Sequence, residues 1–340
     1  MDPVTFLTQS KVLIVTGKGG TGKTTVCGVL ANLAARAGLQ ALVIQIGSPD
    51  GSDQATPSQL ARLFGQDQPV GWEPRALLSL PGGGGVQARL LRPDVALVEY
   101  LHLHGMRRLS RRLVASGALD VVATAIPGMP DLLVLGKVKQ MERALAADRS
   151  PGPAGLIIMD APAAGHAVRF LQSPRGLLEA VNGGPVRSQA EEVVSMLSDP
   201  ARCQVMLVTV LEETPVSETV ETAYLLEDRA GVALAPIVAN AKLPVLALPA
   251  ELGPQALVEL AGEDGARLSE EQLTSLSAAG QLRSRRQRAQ AEQAARLAQA
   301  IPLPQIELPF CFSAALGPAE LDVLTESLAE GIAGLSLGAT

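Results

Sequence analysis

Cysteine is scarce in this chain, and its placement excludes several kinds of chemistry. The 340 residues include three cysteines, Cys27, Cys203 and Cys311, which lie far apart and form no C-x-x-C pair. A disulfide framework is therefore not predicted, and no cysteine spacing suits a metal such as zinc. This pattern is typical of proteins in a reducing compartment, so we expect the protein to be cytoplasmic.

The sequence also lacks an uninterrupted hydrophobic segment and an excess of basic residues. Its most apolar stretch, VALAPIVANAKLPVLALPAEL at 232–252, contains three prolines and Lys242, which disfavour a membrane-spanning helix. The opening residues MDPVTFLTQSK show no basic region followed by an apolar one, so no signal peptide is predicted. The formal net charge is −6, which argues against a nucleic-acid-binding surface. We expect neither stable membrane insertion nor nucleic-acid binding.

Glycine and lysine, by contrast, are concentrated in one short segment near the N-terminus. The run VLIVT at 12–16 is apolar and β-branched, which predicts a buried strand of a parallel sheet. From Lys23 onward, apolar residues recur every three or four positions, which predicts a helix that ends near Gly38. Between the two, GKGGTGKT at 17–24 matches the phosphate-binding motif G-x-x-x-x-G-K-[ST] in full.

Each part of this motif suits a nucleoside triphosphate. Glycines let backbone N–H groups approach the phosphate oxygens, and the following helix adds the positive end of its dipole. We expect Lys23 to contact the β- and γ-phosphates and the Thr24 hydroxyl to bind Mg²⁺. A glycine-rich turn that matches by chance is the alternative, and the flanking strand and helix disfavour it. The predicted nucleotide-binding residues of this segment are Gly17, Lys18, Gly19, Gly20, Thr21, Gly22, Lys23, Thr24 and Thr25.

A second segment places an acidic residue at the end of a predicted strand. The run GLIIMDAPAAGHAVRFLQSP at 155–174 begins as an apolar strand that ends at Asp160 and continues through small residues into a helix. An aspartate in this position is typical of the Walker B carboxylate, which faces Mg²⁺. Taken alone, the segment is explained equally well by an ordinary acidic residue at a strand end.

Both segments resemble one group of ATPases. KGGTGKTT at 18–25 resembles the deviant Walker A motif of the MinD/ParA-type P-loop ATPases. The segment 155–174 resembles the switch II sequence D-T-A-P-T-G-H-T-L-R-F-L-Q-x-P, with Asp160, Gly165 and His166 among the matches. The chain is thus identified as a member of the arsenite-pump (ArsA) and tail-anchored-protein-targeting ATPase family, in its bacterial ArsA-like branch. The resemblance covers about 11–240 and 300–335.

The resemblance implies a set of site residues. It implies ATP or ADP with Mg²⁺ at Thr24 and Asp160, and ATP hydrolysis in which Lys18, Lys23 and Asp160 are the catalytic residues. It also implies a dimer in which Lys18 reaches the nucleotide of the facing subunit, for which the alternative is a solvated loop lysine. The residues that match the family's adenine contacts are Asn240, Pro309 and Phe310. For Asn240 alone, an asparagine in a turn at a strand end is the alternative.

The segment after the second strand departs from the family pattern. Relatives carry D-x-D-P-A-H in this switch I segment, whereas this chain reads ALVIQIGSPDGSDQ, with Gly47 and Ser48 near the expected carboxylate. Asp50 and Asp53 are the candidates to replace that carboxylate. Without it, attack by water is slower by about two to four orders of magnitude. We therefore expect ATP binding with slow intrinsic turnover.

The chain as a whole predicts an α/β fold. Apolar strand candidates at 12–16, 41–46, 155–159, 204–210, 232–239 and 305–308 alternate with helical segments. This order predicts a doubly wound, mostly parallel P-loop NTPase sheet, with helical insertions that form a subdomain. The predicted parts are 11–64 (P-loop and switch I), 65–150 (a mostly helical insertion), 151–240 (switch II and central strands), 241–300 (a second helical insertion) and 301–335 (the last strand and helix).

Three functions stay open at this point. The first is a dimeric ATP-driven switch that controls an unknown protein client through its helical insertions. The second is a weakly catalytic nucleotide-binding subunit in a heterodimer with a paralogous ATPase, which the departure in switch I favours. A MinD/ParA-type positioning ATPase ranks lower, because the C-terminal LAEGIAGLSLGAT has no basic residue.

The sequence disfavours three further properties known from the family. No methionine occurs between 207 and 340, so a methionine-rich groove for membrane segments is not expected. Because the cysteines do not pair in sequence, we predict neither a zinc site nor an arsenite site.

Overall fold

One sheet organises the chain. The computed structural model describes residues 1–47, 58–103, 105–116, 126–147, 155–247, 253–265 and 267–335. Within these ranges nine strands form a single sheet. The strands are β1 (Val12–Gly17), β2 (Gln40–Ile46), β3 (Arg75–Ser79), β4 (Gly85–Leu91), β5 (Gly155–Ala163), β6 (Cys203–Val210), β7 (Ala233–Leu234), β8 (Ile237–Lys242) and β9 (Gln305–Pro309).

The strand order places the phosphate-binding motif at the middle of the sheet. The order is β3-β4-β2-β5-β1-β6-β8-β9, and the short β7 pairs with β6. All neighbouring pairs are parallel except β3 with β4. The loop that follows β1 therefore emerges between the carboxyl ends of β5 and β6, which is where ligands bind in open α/β sheets. This confirms the predicted mostly parallel α/β fold.

Helices cover both faces of the sheet. They are α1 (Pro3–Leu7), α2 (Lys23–Arg36), α3 (Gln59–Leu63), α4 (Pro93–Leu103), α5 (Arg107–Ser116), α6 (Met129–Ala147), α7 (Ala164–Ala180), α8 (Pro185–Leu197), α9 (Glu213–Leu225), α10 (Pro254–Gly265), α11 (Glu270–Ala300) and α12 (Pro318–Ala333). In β1, Leu13 and Val15 pack into the core shared with α2 and α12, whereas Val12 and Ile14 pack into the core shared with α6 to α9. Because both faces are buried, the strand is apolar from Val12 to Val15, as the sequence indicated.

The sheet extends further than the sequence predicted. The segment 65–150, predicted as a mostly helical insertion, begins with β3 and β4, and β4 continues the parallel sheet beyond β2. Two features hid β4 in the sequence: the glycine run PGGGG before it and the charged Arg89 within it. Arg89 is only 7% exposed, and its guanidinium lies 4.9 Å from the centre of the Trp72 ring. A buried cation is tolerated inside a strand when it contacts an aromatic ring. The pattern of apolar residues in the sequence does not show such a contact.

One other detail differs from the sequence prediction. The strand expected at 232–239 is divided into β7 and β8, and Pro236, which has no N–H to donate, lies between them. The segment 241–300 contains the helices α10 and α11. None of the helices in the described part of the chain is both long enough and apolar enough to cross a membrane.

Candidate nucleotide-binding site

The loop between β1 and α2 has a backbone that requires glycine at particular positions. Gly20 and Gly22 have φ values of 86° and 90°, in the left-handed region that other residues rarely adopt. A Cβ atom at Gly17 would lie 2.0 Å from the carbonyl oxygen of Val208, and one at Gly22 would lie 2.2 Å from Nδ2 of Asn240. The glycines of the motif thus serve both conformation and close packing.

The loop wraps around one of its own carbonyl groups. The carbonyl oxygen of Lys18 accepts hydrogen bonds from the Thr21 hydroxyl at 2.9 Å and from Nζ of Lys23 at 3.1 Å. Burial lowers the pKa of Lys23, while the nearby charge of Asp160 opposes that shift. The Lys23 ammonium is therefore held inside the loop by a neutral acceptor, where an incoming phosphate oxygen can replace that acceptor.

The outer side of the loop is open. A Cβ atom at Gly19 or Gly20 would meet nothing within 4 Å. These residues line a cavity of about 590 Å³ together with residues at the end of β6 and the start of α9. Its lining residues are Lys18, Gly19, Gly20, Thr21, Val210, Glu212, Glu213, Thr214 and Pro215. Lys23, Thr24 and Asp160 are not among them, so this outer cavity is separate from the side of the loop that the Lys23 ammonium faces.

Asp160 and Thr24 bring two side-chain oxygen atoms together beside the loop. Asp160 lies opposite Val15 in the β1–β5 pairing, and its Oδ2 accepts a 2.7 Å hydrogen bond from the Thr24 hydroxyl. Gln45 of β2 donates a longer bond of 3.4 Å to the same oxygen. Burial raises the pKa of Asp160, whereas these two hydrogen bonds and the charge of Lys23 lower it. A carboxylate beside a hydroxyl is a donor set that fits Mg²⁺.

The other lysine of the loop points away from the phosphate side. Nζ of Lys18 lies 2.5 Å from Oε1 of Glu218 on α9, in an ion pair within the same chain. The two side chains are 32% and 43% exposed. Sequence analysis assigned Glu218 no place in the site, because 200 positions separate it from Lys18.

Comparison with known proteins decides the family. The chain matches no protein-family model. It is 30% identical over 336 residues to ATPase BagA of Mycobacterium tuberculosis, and the match covers 95% of this chain and 94% of that protein. It is 28% identical to a putative arsenical pump-driving ATPase of Halobacterium salinarum, over 69% of this chain and 36% of that protein. It is also 28% identical to ATPase get3 of Schizosaccharomyces japonicus, over 51% of this chain and 47% of that protein.

The chain belongs to the ArsA/Get3-like family of ATPases. The expected ATP-binding ATPase is thereby confirmed, whereas binding of its phosphates by the loop between β1 and α2 stays a prediction. Within that loop, Thr25 is buried in α2 and accepts a hydrogen bond from Gln59 at 3.3 Å.

The three residues expected at the adenine lie on one side of this ATPase's loop. Nδ2 of Asn240 donates a 2.9 Å hydrogen bond to the carbonyl of Thr21, so the amide braces the loop. Pro309 ends β9, and the next residue, Phe310, is 41% exposed with its ring centre 4.9 Å from that of Phe312. The adenine contacts of all three stay a prediction.

The two phenylalanines line an apolar groove next to the outer cavity beside the loop. The groove has a volume of about 820 Å³, and α11 forms its far wall. It shares Val210, Glu212 and Glu213 with the outer cavity, so the two spaces adjoin. The guanidinium of Arg283 on α11 lies 5.4 Å from the centre of the Phe312 ring. Sequence analysis missed Arg283 and Phe312, since neither belongs to a motif.

The switch segments lie at the same edge of the sheet. Gly165 and His166 are exposed in the first turn of α7, which follows β5 directly instead of after the expected small-residue loop. The Thr16 hydroxyl donates to the carbonyl of Pro162 at 2.7 Å, which holds this part of the chain extended beside β1. Gly47 follows β2, and Ser48, Asp50 and Asp53 lie outside the described residues.

The cysteines of this ATPase are dispersed. Cys27 and Cys203 are buried in different elements, α2 and β6, and Cys311 is partly exposed. Burial raises the pKa of Cys27 well above its usual value, which keeps this thiol protonated beside the loop. Among the described residues no three His, Cys, Asp or Glu side chains form a group able to hold a metal ion. The absence of zinc and arsenite sites stays a prediction.

Proposed function

We propose that this ATPase is an ATP-driven switch that works as a dimer, in which Lys18 of each subunit acts on the nucleotide held by the other. The opposite directions of the two loop lysines carry this proposal. The Lys23 ammonium turns into its own loop, whereas that of Lys18 turns outward to a partly exposed carboxylate on α9. A lysine whose ammonium lies outside its own loop can serve a facing subunit once it leaves this carboxylate, and a positive charge there stabilises the transferred phosphoryl group.

The proposed ligand of each subunit is ATP with Mg²⁺. Thr24 and Asp160 would hold the ion, which supplies positive charge to the phosphate oxygens when bound. The proposed catalytic roles of Lys18 and Lys23 are to neutralise phosphate charge from the two sides of the dimer. The apolar groove at Phe310 is the proposed base site, because it adjoins the outer cavity beside the loop and offers an aromatic face.

We propose slow intrinsic turnover for the chain alone. The position next to β2 carries Gly47 instead of a carboxylate, and a Cβ atom there would lie 2.9 Å from the side chain of Leu90. A carboxylate at this position would therefore require Leu90 to move. This observation supports the second candidate function, in which a paralogous subunit completes the switch I chemistry in a heterodimer.

The proposed output is control of a protein client by α10 and α11. The helix α11 is 31 residues long and mostly exposed, and its Arg283 contacts the ring of Phe312 at the groove. A base bound in that groove would touch both the sheet and this helix. Nucleotide state would then bias the position of α11, as in other switches in which one element is stabilised by a ligand.

The test measures ATP turnover and molecular mass in parallel, for the wild type, Lys18→Ala and the control Lys11→Ala. Lys11 lies at the opposite end of β1 from the loop. A wild type that dimerises with ATP and turns it over, and a Lys18→Ala variant that binds ATP but does neither, would support a homodimeric switch. A wild type that binds ATP yet stays monomeric and idle would favour the heterodimer. Equal turnover of a monomeric wild type and Lys18→Ala would overturn both.

A further inference from the structure

We propose that Glu218 withholds Lys18 from the facing subunit, so that breaking this ion pair is a step in dimer assembly. The inference rests on the proposed function, since it assumes that Lys18 acts across a dimer. It adds a positioning residue that acts through Lys18 and that belongs to no sequence motif of the phosphate loop.

The fold fixes the two partners side by side. Strands β1 and β6 are parallel neighbours, with Thr16 opposite Leu207, so the loop after β1 and the helix after β6 begin next to each other. The first turns of α9 are anchored by the buried Val216 and Thr219. Glu218 therefore stands on a rigid support, while Lys18 is on a loop with a long, flexible side chain. In an exchange of partners, Lys18 is the residue that moves.

The chemistry makes the two roles of Lys18 mutually exclusive. Its ammonium is 2.5 Å from Oε1 of Glu218, and within the described residues this is the carboxylate in ion-pair contact with it. While the Lys18 ammonium is paired with α9 of its own subunit, it cannot contact a phosphate in the facing subunit. A triphosphate carries several negative charges, so it attracts the ammonium more strongly than one carboxylate does. The facing nucleotide can thus take Lys18 away from Glu218.

The size of the effect follows from the exposure of the pair. A partly exposed ion pair contributes little free energy. Breaking one changes the equilibrium constant of dimerisation by roughly 1.5- to 5-fold. A homodimer breaks two such pairs, so removing Glu218 should tighten ATP-dependent association by about 2- to 25-fold. Added salt screens exposed pairs, and the difference between variant and wild type should shrink as the salt concentration rises.

The experiment compares Glu218→Gln with the matched control Glu221→Gln. Glu221 is exposed on the same helix, one turn further on, so both variants remove one negative charge from α9. The first measurement, without nucleotide, is the rate at which an amine-reactive reagent labels each lysine, read by mass spectrometry. The second is the dimer dissociation constant in ATP and Mg²⁺, from sedimentation.

The proposal expects Lys18 to be labelled several-fold faster in Glu218→Gln, with Lys11 unchanged, and expects that variant alone to dimerise more tightly. Lys18→Ala is expected not to dimerise, and a further Glu218→Gln change should not restore its association, whereas a Glu218 that merely repelled the facing subunit would let the double variant associate. Unchanged labelling of Lys18 would overturn the proposal, because the ion pair would then be absent in solution. Weaker or equal association of Glu218→Gln would also overturn it.

The two proposals fail in different ways. If wild type and Glu218→Gln both stay monomeric in ATP while Lys18 labelling differs between them, the proposed dimeric switch is wrong. The proposed role of Glu218 in dimer assembly is then wrong as well. If the wild type dimerises through Lys18 but Glu218→Gln dimerises no better, the switch stands and only the role of Glu218 is refuted.

Discussion

The hydroxyl of Thr24 donates a 2.7 Å hydrogen bond to the carboxylate of Asp160, although 136 positions separate the two residues. The contact exists because α2 begins at the end of β1 and because β1 and β5 are neighbours in the sheet. Two oxygen atoms of the kind that Mg²⁺ prefers thus lie side by side in the fold. Burial raises the pKa of Asp160, and the proposed cation would offset this desolvation cost together with Thr24 and Lys23, which lower the pKa.

The first prediction concerns Asp160→Asn. The change keeps the size of the side chain but removes the charge that would attract the ion, so the apparent affinity for Mg²⁺ should fall about 10- to 100-fold. ATP binding without Mg²⁺ should change little, or improve, because a buried negative charge near the phosphates is gone. A magnesium titration of ATP binding measures both. Asp228→Asn, at an exposed site in the turn after α9, is the control. Equal magnesium dependence in both variants would contradict the assignment.

The second prediction compares two glycines of the loop. Gly22 has a φ of 90° and no room for a Cβ atom, whereas Gly19 has open space around its α-carbon. Gly22→Ala should lower the free energy of unfolding by about 1–3 kcal/mol, because it combines backbone strain with a clash against Asn240. Gly19→Ala should change it by less than about 0.5 kcal/mol. Urea denaturation of the two variants measures the difference, and equal losses would argue against the loop geometry described here.

Sequence patterns predicted the parts of the site that are local. The motif at 17–24, with a strand before it and a helix after it, identified the loop because its chemistry depends on residues that are adjacent in the chain. Asp160 was predictable as a strand-end acid, and the resemblance to the family gave it a role. In each case one short segment contains the whole signal.

The parts that sequence analysis missed depend on contacts across the fold. Glu218 enters the site only because β6 lies beside β1, and Arg283 only because α11 packs near the end of β9. Strand β4 was missed because Arg89 interrupts its apolar pattern, although Trp72 stabilises the buried cation. The periodicity of apolar residues indicates which positions are buried. It does not indicate which neighbouring side chain stabilises a polar residue at a buried position.

The third prediction uses the unusual titration of Asp131, in the first turn of α6. Burial raises its pKa to about 6, against an ordinary value of 3.8. Above pH 6 the folded protein therefore bears the cost of a half-buried charge, and this cost disappears as the pH falls towards 4. Asp131→Asn should raise the free energy of unfolding by about 1–2 kcal/mol at pH 7.5, after allowance for solvent screening. The gain should vanish near pH 4.

Thermal or urea unfolding at several pH values tests this prediction. The exposed Asp67 provides the control, since Asp67→Asn removes the same charge without relieving burial. A gain from Asp131→Asn that is the same at pH 4 and pH 7.5 would show that the titration of this carboxyl is not its source.

The fourth prediction separates the base groove from the phosphate loop. If the adenine packs on Phe310, then Phe310→Ala should weaken ATP binding about tenfold, since stacking of a base on an aromatic ring contributes roughly 1–3 kcal/mol. Binding of inorganic triphosphate, which has no base, should be unchanged, because Lys23 and the loop are untouched. Val323→Ala, at an exposed position on α12, should alter neither. Equal loss for ATP and triphosphate would mean that Phe310 supports the loop, and no loss for either would place the base outside the groove.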